Sequence, residues 1–472
     1  MAAPTEPPPI PKLPAAFSKS LLNSPSSLVF WKAIGLFSGK VAREGYLAAF
    51  DQGLISLANF LATVFLARVV TPTQLGVYGV GFTSLRLVRS LQEGLTIQPV
   101  NTFGPGMDAV EFRRYATSTS LMQVGLALVT SAAAALLGWW LTITGNDTAG
   151  PAVFSLWFAF LFWQLQEYVR RLLYTRGDVF NAVVNTALAN GLRLGVMAWY
   201  LKEGQLDGIA GLNAIAWGSI GALIPGLWQT RRYWTFHLTG LRSYWRRNWE
   251  FGRWILGGTL ANWVAAEFYP VLTAGMISFA AAGAYRALQN LVAPIHLLLR
   301  AIDTFLTPRA ARLYQQQGQP ALRRTLRLIY LASGIPILGM LAIALIFPTA
   351  LLHALYGDTY VAYSAGMSLM ALFYALWFAY WPLQIVLKAA QRSRPIFTSN
   401  LAAMLVMFTV GIWMITRWGV YGTIAGQALN ALVVAIILWS SWMTARDQLA
   451  SEDVTSGAAD VHSNPVASDT KR

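Results

Sequence analysis

Apolar residues in this chain are gathered into long, almost unbroken runs, separated by short polar or basic segments. A helix needs about 20 mostly apolar residues to cross the hydrocarbon of a bilayer. Twelve runs meet that length. The first six are Tyr46–Val69, Leu75–Ile97, Thr117–Ile143, Val153–Leu173, Val179–Leu201 and Ile209–Trp228. The second six are Trp254–Phe279, Ala284–Leu306, Leu326–Phe347, Ser364–Leu387, Ile396–Ile415 and Val420–Trp442. The pattern predicts an all-α polytopic membrane protein.

Loop charges test the count independently, because Lys and Arg accumulate in cytoplasmic loops. One set of alternate segments holds 27 of the 35 basic residues, with Arg170, Arg171 and Arg176 counted among them. The other set holds only Arg68, Lys202 and Arg417. A miscounted span would reverse the alternation from that point on, yet it stays in phase to the end. Both termini are therefore expected in the cytoplasm.

The longest internal loop, Gln229–Arg253, is strongly basic and divides the runs six and six. An even number makes both halves enter the membrane from the same side, as two six-helix bundles in parallel repeat around a central cavity. Local echoes support a duplication. Gly76-Val77-Tyr78 opens the second run and Gly283-Ala284-Tyr285 the eighth, and Pro99 and Pro308 close them. The expected organisation is a cytoplasmic tail (1–45), a first bundle (46–228), a basic linker (229–253), a second bundle (254–443) and a disordered acidic tail (444–472). Within the first tail, Ser27–Phe37 is suited to an interfacial helix.

Composition agrees with lipid as the main solvent. Only 12% of residues are charged, half the share of about 25% usual in soluble domains. The net charge of +15 would suggest nucleic acid in a soluble protein, but here it lies in the loops, so no nucleic-acid partner is expected. The chain has no cysteine, which excludes disulfides and thiolate metal sites. No phosphate-binding glycine loop, metal-ligand cluster or nucleophile elbow occurs, so a transporter without cofactor or metal is expected, not an enzyme.

Charges inside the runs carry the functional signal. Arg86, Arg89, Arg193, Arg286 and Arg300 fall within predicted spans, as do Asp51, Glu93, Glu167, Glu267 and Asp303. A charge at the bilayer centre costs roughly 2.5–3.5 kcal/mol on insertion scales, so such groups face protein or water and have partners. In the eighth run Arg286, Gln289, Asn290, His296, Arg300, Asp303 and Thr304 share one face of a helix. In the second, Arg86, Arg89 and Glu93 share another. These arginines suit an anionic headgroup, because a guanidinium grips phosphate oxygens with a fork of two donors. Asp51, Glu267 and Asp303 are candidates for coupling to H⁺ or Na⁺. Each charge is equally open to a plainer role as the partner of another.

The chain resembles the polysaccharide and lipid-linked oligosaccharide flippases of the multidrug/oligosaccharidyl-lipid/polysaccharide exporter superfamily. The residues that carry the resemblance are Asp51-Gln52-Gly53 through Asn59-Phe60, Ala67-Arg68, Thr71–Tyr78, Gly283–Asn290, Thr307-Pro308 and Leu355-Tyr356-Gly357 with Tyr360. The resemblance implies alternating access in the bacterial inner membrane. The cargo it implies is a polyprenyl-pyrophosphate-linked glycan, with membrane lipids and glycan-assembly enzymes as partners. Two other functions stay open. A multidrug antiporter of the same superfamily favours cationic drugs, which the arginines would repel. An O-antigen polymerase or ligase needs a large outer loop with basic catalytic residues, whereas Thr144–Ala152 and Pro348–Tyr363 hold no Lys or Arg.

Overall fold

The structure is a computed structural model that describes residues 40–235, 240–296, 298–299, 302, 310, 313–314, 318–390, 392 and 394–462. The tail before residue 40, its expected interfacial helix, Arg300, Asp303 and Thr307-Pro308 lie outside the described residues. Among the described residues every regular element is helical.

The first half comprises α1 (Lys40–Val69), α2 (Pro72–Gln92), α3 (Gln98–Phe103), α4 (Ala109–Ile143), α5 (Ala149–Thr175), α6 (Val179–Lys202) and α7 (Gly208–Thr230). A π-helical turn, Glu93–Ile97, carries α2 into α3. The second half comprises α8 (Leu241–Glu267), α9 (Tyr269–Met276), α10 (Phe279–Leu291), α11 (Gln319–Ile346), α12 (Pro348–Tyr356), α13 (Ala365–Ala389), α14 (Arg394–Val406) and α15 (Ile412–His462). Caps fix several starts: Asp108 accepts from the N–H groups of Val110 and Glu111 at the head of α4, and those bonds hold its carboxyl below the usual range.

Six segments are long and apolar enough to cross a bilayer: Arg43–Val69, Ala109–Ile143, Gly208–Tyr233, Pro320–Ile346, Ala365–Ala389 and Arg394–Thr444. The chain is thus a multi-pass membrane protein. The helices outside that group include α2, α5, α6, α8 and α10, and these carry much of the polar lining of a central cavity.

Several predicted runs are broken, for local reasons. The seventh divides at Phe268, where Pro270 in the first turn of α9 supplies no N–H. The eighth is interrupted at Val292, just before Pro294, and helix resumes over residues 293–296. Gly419, at φ +56°, separates the last two. Two expectations at the edges also change. Half of the basic linker is helix, because α8 begins at Leu241. The helix of α15 reaches His462, through residues expected to be disordered.

The duplicated glycines meet each other. A Cβ built on Gly76 would lie 1.7 Å from the Phe279 carbonyl oxygen, and one on Gly283 would lie 2.0 Å from the Pro72 carbonyl oxygen. Each glycine thus sits on the backbone four residues before the other, and α2 and α10 cross there in a reciprocal contact that only hydrogen side chains allow. Gly76→Ala is expected to cost about 1–3 kcal/mol through overpacking, read as a lower unfolding temperature in detergent. Gly125→Ala, inside α4 with open space around its Cβ, should not lower it. An unaffected Gly76→Ala protein would show that the crossing is not tight.

Candidate functional site

A cavity of about 850 Å³ lies between the two halves. The first half contributes α1, α2, α5, α6 and α7, and the second contributes α8, α10 and the residues up to His296. On α2 and α10 the lining begins at Phe82 and Arg286, beyond the Gly76–Gly283 crossing. On the other side of the crossing the halves are latched. The guanidinium of Arg68, at the end of α1, donates at 2.6 Å to the carbonyls of both Ala354 and Leu355, at the end of α12. A helix C-terminus presents unpaired carbonyls, which a cation satisfies well.

Among the described residues four arginines line the cavity, Arg86, Arg89, Arg170 and Arg286, against three glutamates, Glu93, Glu167 and Glu267. Their partners differ. Arg86 on α2 meets Glu267 on α8 at 2.6 Å, an ion pair that bridges the halves and is partly open, with side chains 33% and 20% exposed. Arg89 lies 3.8 Å from Glu167. Glu93 accepts a bond from Gln98 at 2.7 Å.

Among the described residues Arg286 is the lining arginine that forms no ion pair. Its nearest polar contact is the Gln289 amide oxygen, at 3.1 Å, and its guanidinium lies 4.9 Å from the centre of the Phe82 ring. Its Nε is buried without an acceptor. The crossing of α2 and α10 explains how an arginine fits here. In the register that pairs Gly76 with Gly283, Gly79 stands where the second half carries Arg286. A Cβ on Gly79 would come within 3.2 Å of the Arg286 Cγ, so the missing side chain makes room for the arginine stem. Gln289 is held in turn by Tyr285, whose hydroxyl donates to Gln427 of α15 at 2.7 Å.

At the arginine-rich end of α5, Arg170 is buried. It meets Asp51 of α1 at 2.6 Å and grips Glu167 with Nε at 2.9 Å and a terminal nitrogen at 2.8 Å. Tyr174 donates to the same Asp51 oxygen at 2.7 Å, and Arg171 donates to Glu167 at 2.9 Å. Buried charges need this kind of mutual satisfaction.

Of the residues the sequence singled out, Arg86, Arg89, Arg286 and Glu267 come together in the lining. Arg193 turns instead to Asn59 and to the Tyr78 hydroxyl within the first half. Asp51 is occupied by Arg170 and Tyr174. Arg170 and Arg171 were counted as loop charges, but α5 runs on to Thr175 and draws both into the charge network. The signal that could have found them is the spacing Glu167, Arg170, Arg171, which stacks one carboxylate beneath two guanidiniums.

The model of a family described as "Polysaccharide biosynthesis protein" matches residues 65–365. None of the curated proteins matches the chain in sequence. Among solved structures, an inward-facing multidrug resistance MATE family transporter of the MOP superfamily superposes with a TM-score of 0.66 at 13% identity, covering 84% of this chain and 95% of that one. A MOP superfamily transporter from Pyrococcus furiosus gives 0.61 at 13% identity, covering 86% and 95%. The lipid II flippase MurJ, in an inward closed conformation, gives 0.62 at 12% identity, covering 85% and 87%. The fold is shared with these transporters along most of their length.

Proposed function

We propose that this chain, which belongs to the polysaccharide biosynthesis protein family, flips a polyprenyl-pyrophosphate-linked glycan across the bacterial inner membrane by alternating access. The observation that carries this reading is Arg286, a half-buried guanidinium that faces a polar cavity and forms no ion pair among the described residues. A site that holds such a cation is complementary to an anion and repels a cationic drug. In this reading the chain crosses the membrane twelve times as two bundles of six and keeps both termini in the cytoplasm. It carries its cargo without covalent chemistry.

The order of events follows from the ion pairs. A pyrophosphate reaching Arg86 competes with Glu267 for the same guanidinium nitrogen, which lies 2.6 Å from the glutamate in this structure. Displaced Glu267 is then free to take up H⁺ or Na⁺, so cargo binding and ion binding are linked through one arginine. Asp51 is less suited to that step, because an incoming ion must compete with Arg170 and Tyr174; Asp303 remains a candidate. The amides Gln52, Asn59, Gln166 and Asn190 and the ring of Trp163 supply the cavity with donors, acceptors and a flat face suited to sugar.

Deleting the gene tests this reading. A lipid-linked glycan should accumulate on the cytoplasmic face of the membrane. Drug sensitivity without accumulation would favour the cation antiporter instead.

A further inference from the structure

A second recess lies away from the cavity, where the arginine-rich start of α11 meets α15 at Trp439 and Trp442. It has a volume of about 390 Å³, and its walls include Arg323, Arg327, Tyr330, Leu331, Trp439 and Trp442. Its back is rigid: the Tyr330 and Trp439 rings stack with centroids 6.4 Å apart and planes 17° apart. Both also donate to the Ala379 carbonyl of α13. Three helices thus fix one aromatic wall.

The front of the recess is cationic. Arg323 and Arg327 stand one turn apart on α11 and are exposed, and neither makes an ion pair among the described residues. Like charges at that spacing repel each other, so an anion between them relieves the helix as well as binding it. The same stripe of α11 then turns aliphatic. Leu331, Ile335 and Leu338 follow at helical spacing and are 64%, 81% and 56% exposed. One strip of surface therefore presents two guanidiniums and a bare hydrocarbon track leading away from them.

We propose that this recess is a seat for an acidic glycerophospholipid, with its phosphate between Arg323 and Arg327 and an acyl chain along Leu331, Ile335 and Leu338. Charge decides the lipid class. A zwitterionic headgroup would bring an ammonium against two guanidiniums, whereas a net-negative headgroup brings only attraction. The orientation rests on the proposed function, with the arginine-rich face at the cytoplasmic headgroup layer; the seat does not depend on what the central cavity carries.

The test uses the full-length protein in vesicles of phosphatidylcholine with a minor fraction of phosphatidylglycerol, followed by native mass spectrometry of the lipids retained. The wild type should keep phosphatidylglycerol in excess of its share. R323Q/R327Q should lose that excess, on the order of tenfold or more, while R323K/R327K keeps most of it and shows that the site still folds. R113Q/R114Q, which removes the same charge from another exposed arginine pair, should keep all of it. Undiminished excess in R323Q/R327Q, or equal loss in R113Q/R114Q, would each overturn the proposal. Because lipid retention is read without any glycan, its failure is separate from a failure of the transport reading.

Discussion

Arg286→Gln lowers transport of the lipid-linked glycan roughly ten- to hundredfold while leaving the amount of protein in the membrane unchanged. The size follows from one lost charge-assisted hydrogen bond, worth about 1.5–3 kcal/mol. The selectivity follows from the partners. Among the described residues Arg286 forms no ion pair and hydrogen-bonds only Gln289, so its removal strands no paired carboxylate there. Arg86→Gln is a less clean variant, because it also leaves Glu267 without its 2.6 Å partner. A flipping assay in proteoliposomes, with an immunoblot for protein level, checks the expectation. Wild-type rates for Arg286→Gln would remove the anion seat from the account.

The second large effect concerns stability. Arg170, Asp51 and Glu167 have side chains only 4–5% exposed and satisfy one another. Arg170→Met leaves two buried carboxylates facing an apolar group, and removing one member of a buried ion pair costs about 3–5 kcal/mol. The triple change Arg170→Met, Asp51→Asn, Glu167→Gln should recover a large part of that loss, since the charges then leave together. The arginines it strands, Arg89 and Arg171, are 36% and 25% exposed and can reach water. Thermal unfolding of the purified proteins in detergent reads both. If Arg170→Met unfolds like the wild type, the network contributes nothing to the fold.

Hydropathy made much of this protein legible before any coordinates. Six of the segments it marked are helices long and apolar enough to cross a bilayer, and the echoed glycines Gly76 and Gly283 meet where α2 and α10 cross, a contact the echo did not announce. The shared faces of Arg86 with Arg89, and of Arg286 with Gln289, did turn to the cavity. Hydropathy does not report what a charge inside the membrane meets when the partner is on a distant helix. Asp51 and Arg170 are 119 positions apart and joined at 2.6 Å, and Arg193 reaches Asn59 across 134. Nor does it see helix ends. Arg170 and Arg171 read as loop residues because apolar residues run out there, while the backbone continues as helix to Thr175. Breaks at Phe268 and Gly419 were hidden by apolar neighbours that keep the average high.

The sign of the charge that the chamber between the halves welcomes separates a glycan-lipid flippase from a cation antiporter. Equilibrium binding of a polyprenyl-pyrophosphate glycan to the purified protein, set beside an organic cation of similar size, reads that sign directly. Saturable binding of the glycan lipid, weakened by salt and lost in an R86Q/R89Q/R286Q variant, is the expected result. Tight binding of the cation with none of the pyrophosphate lipid would contradict it.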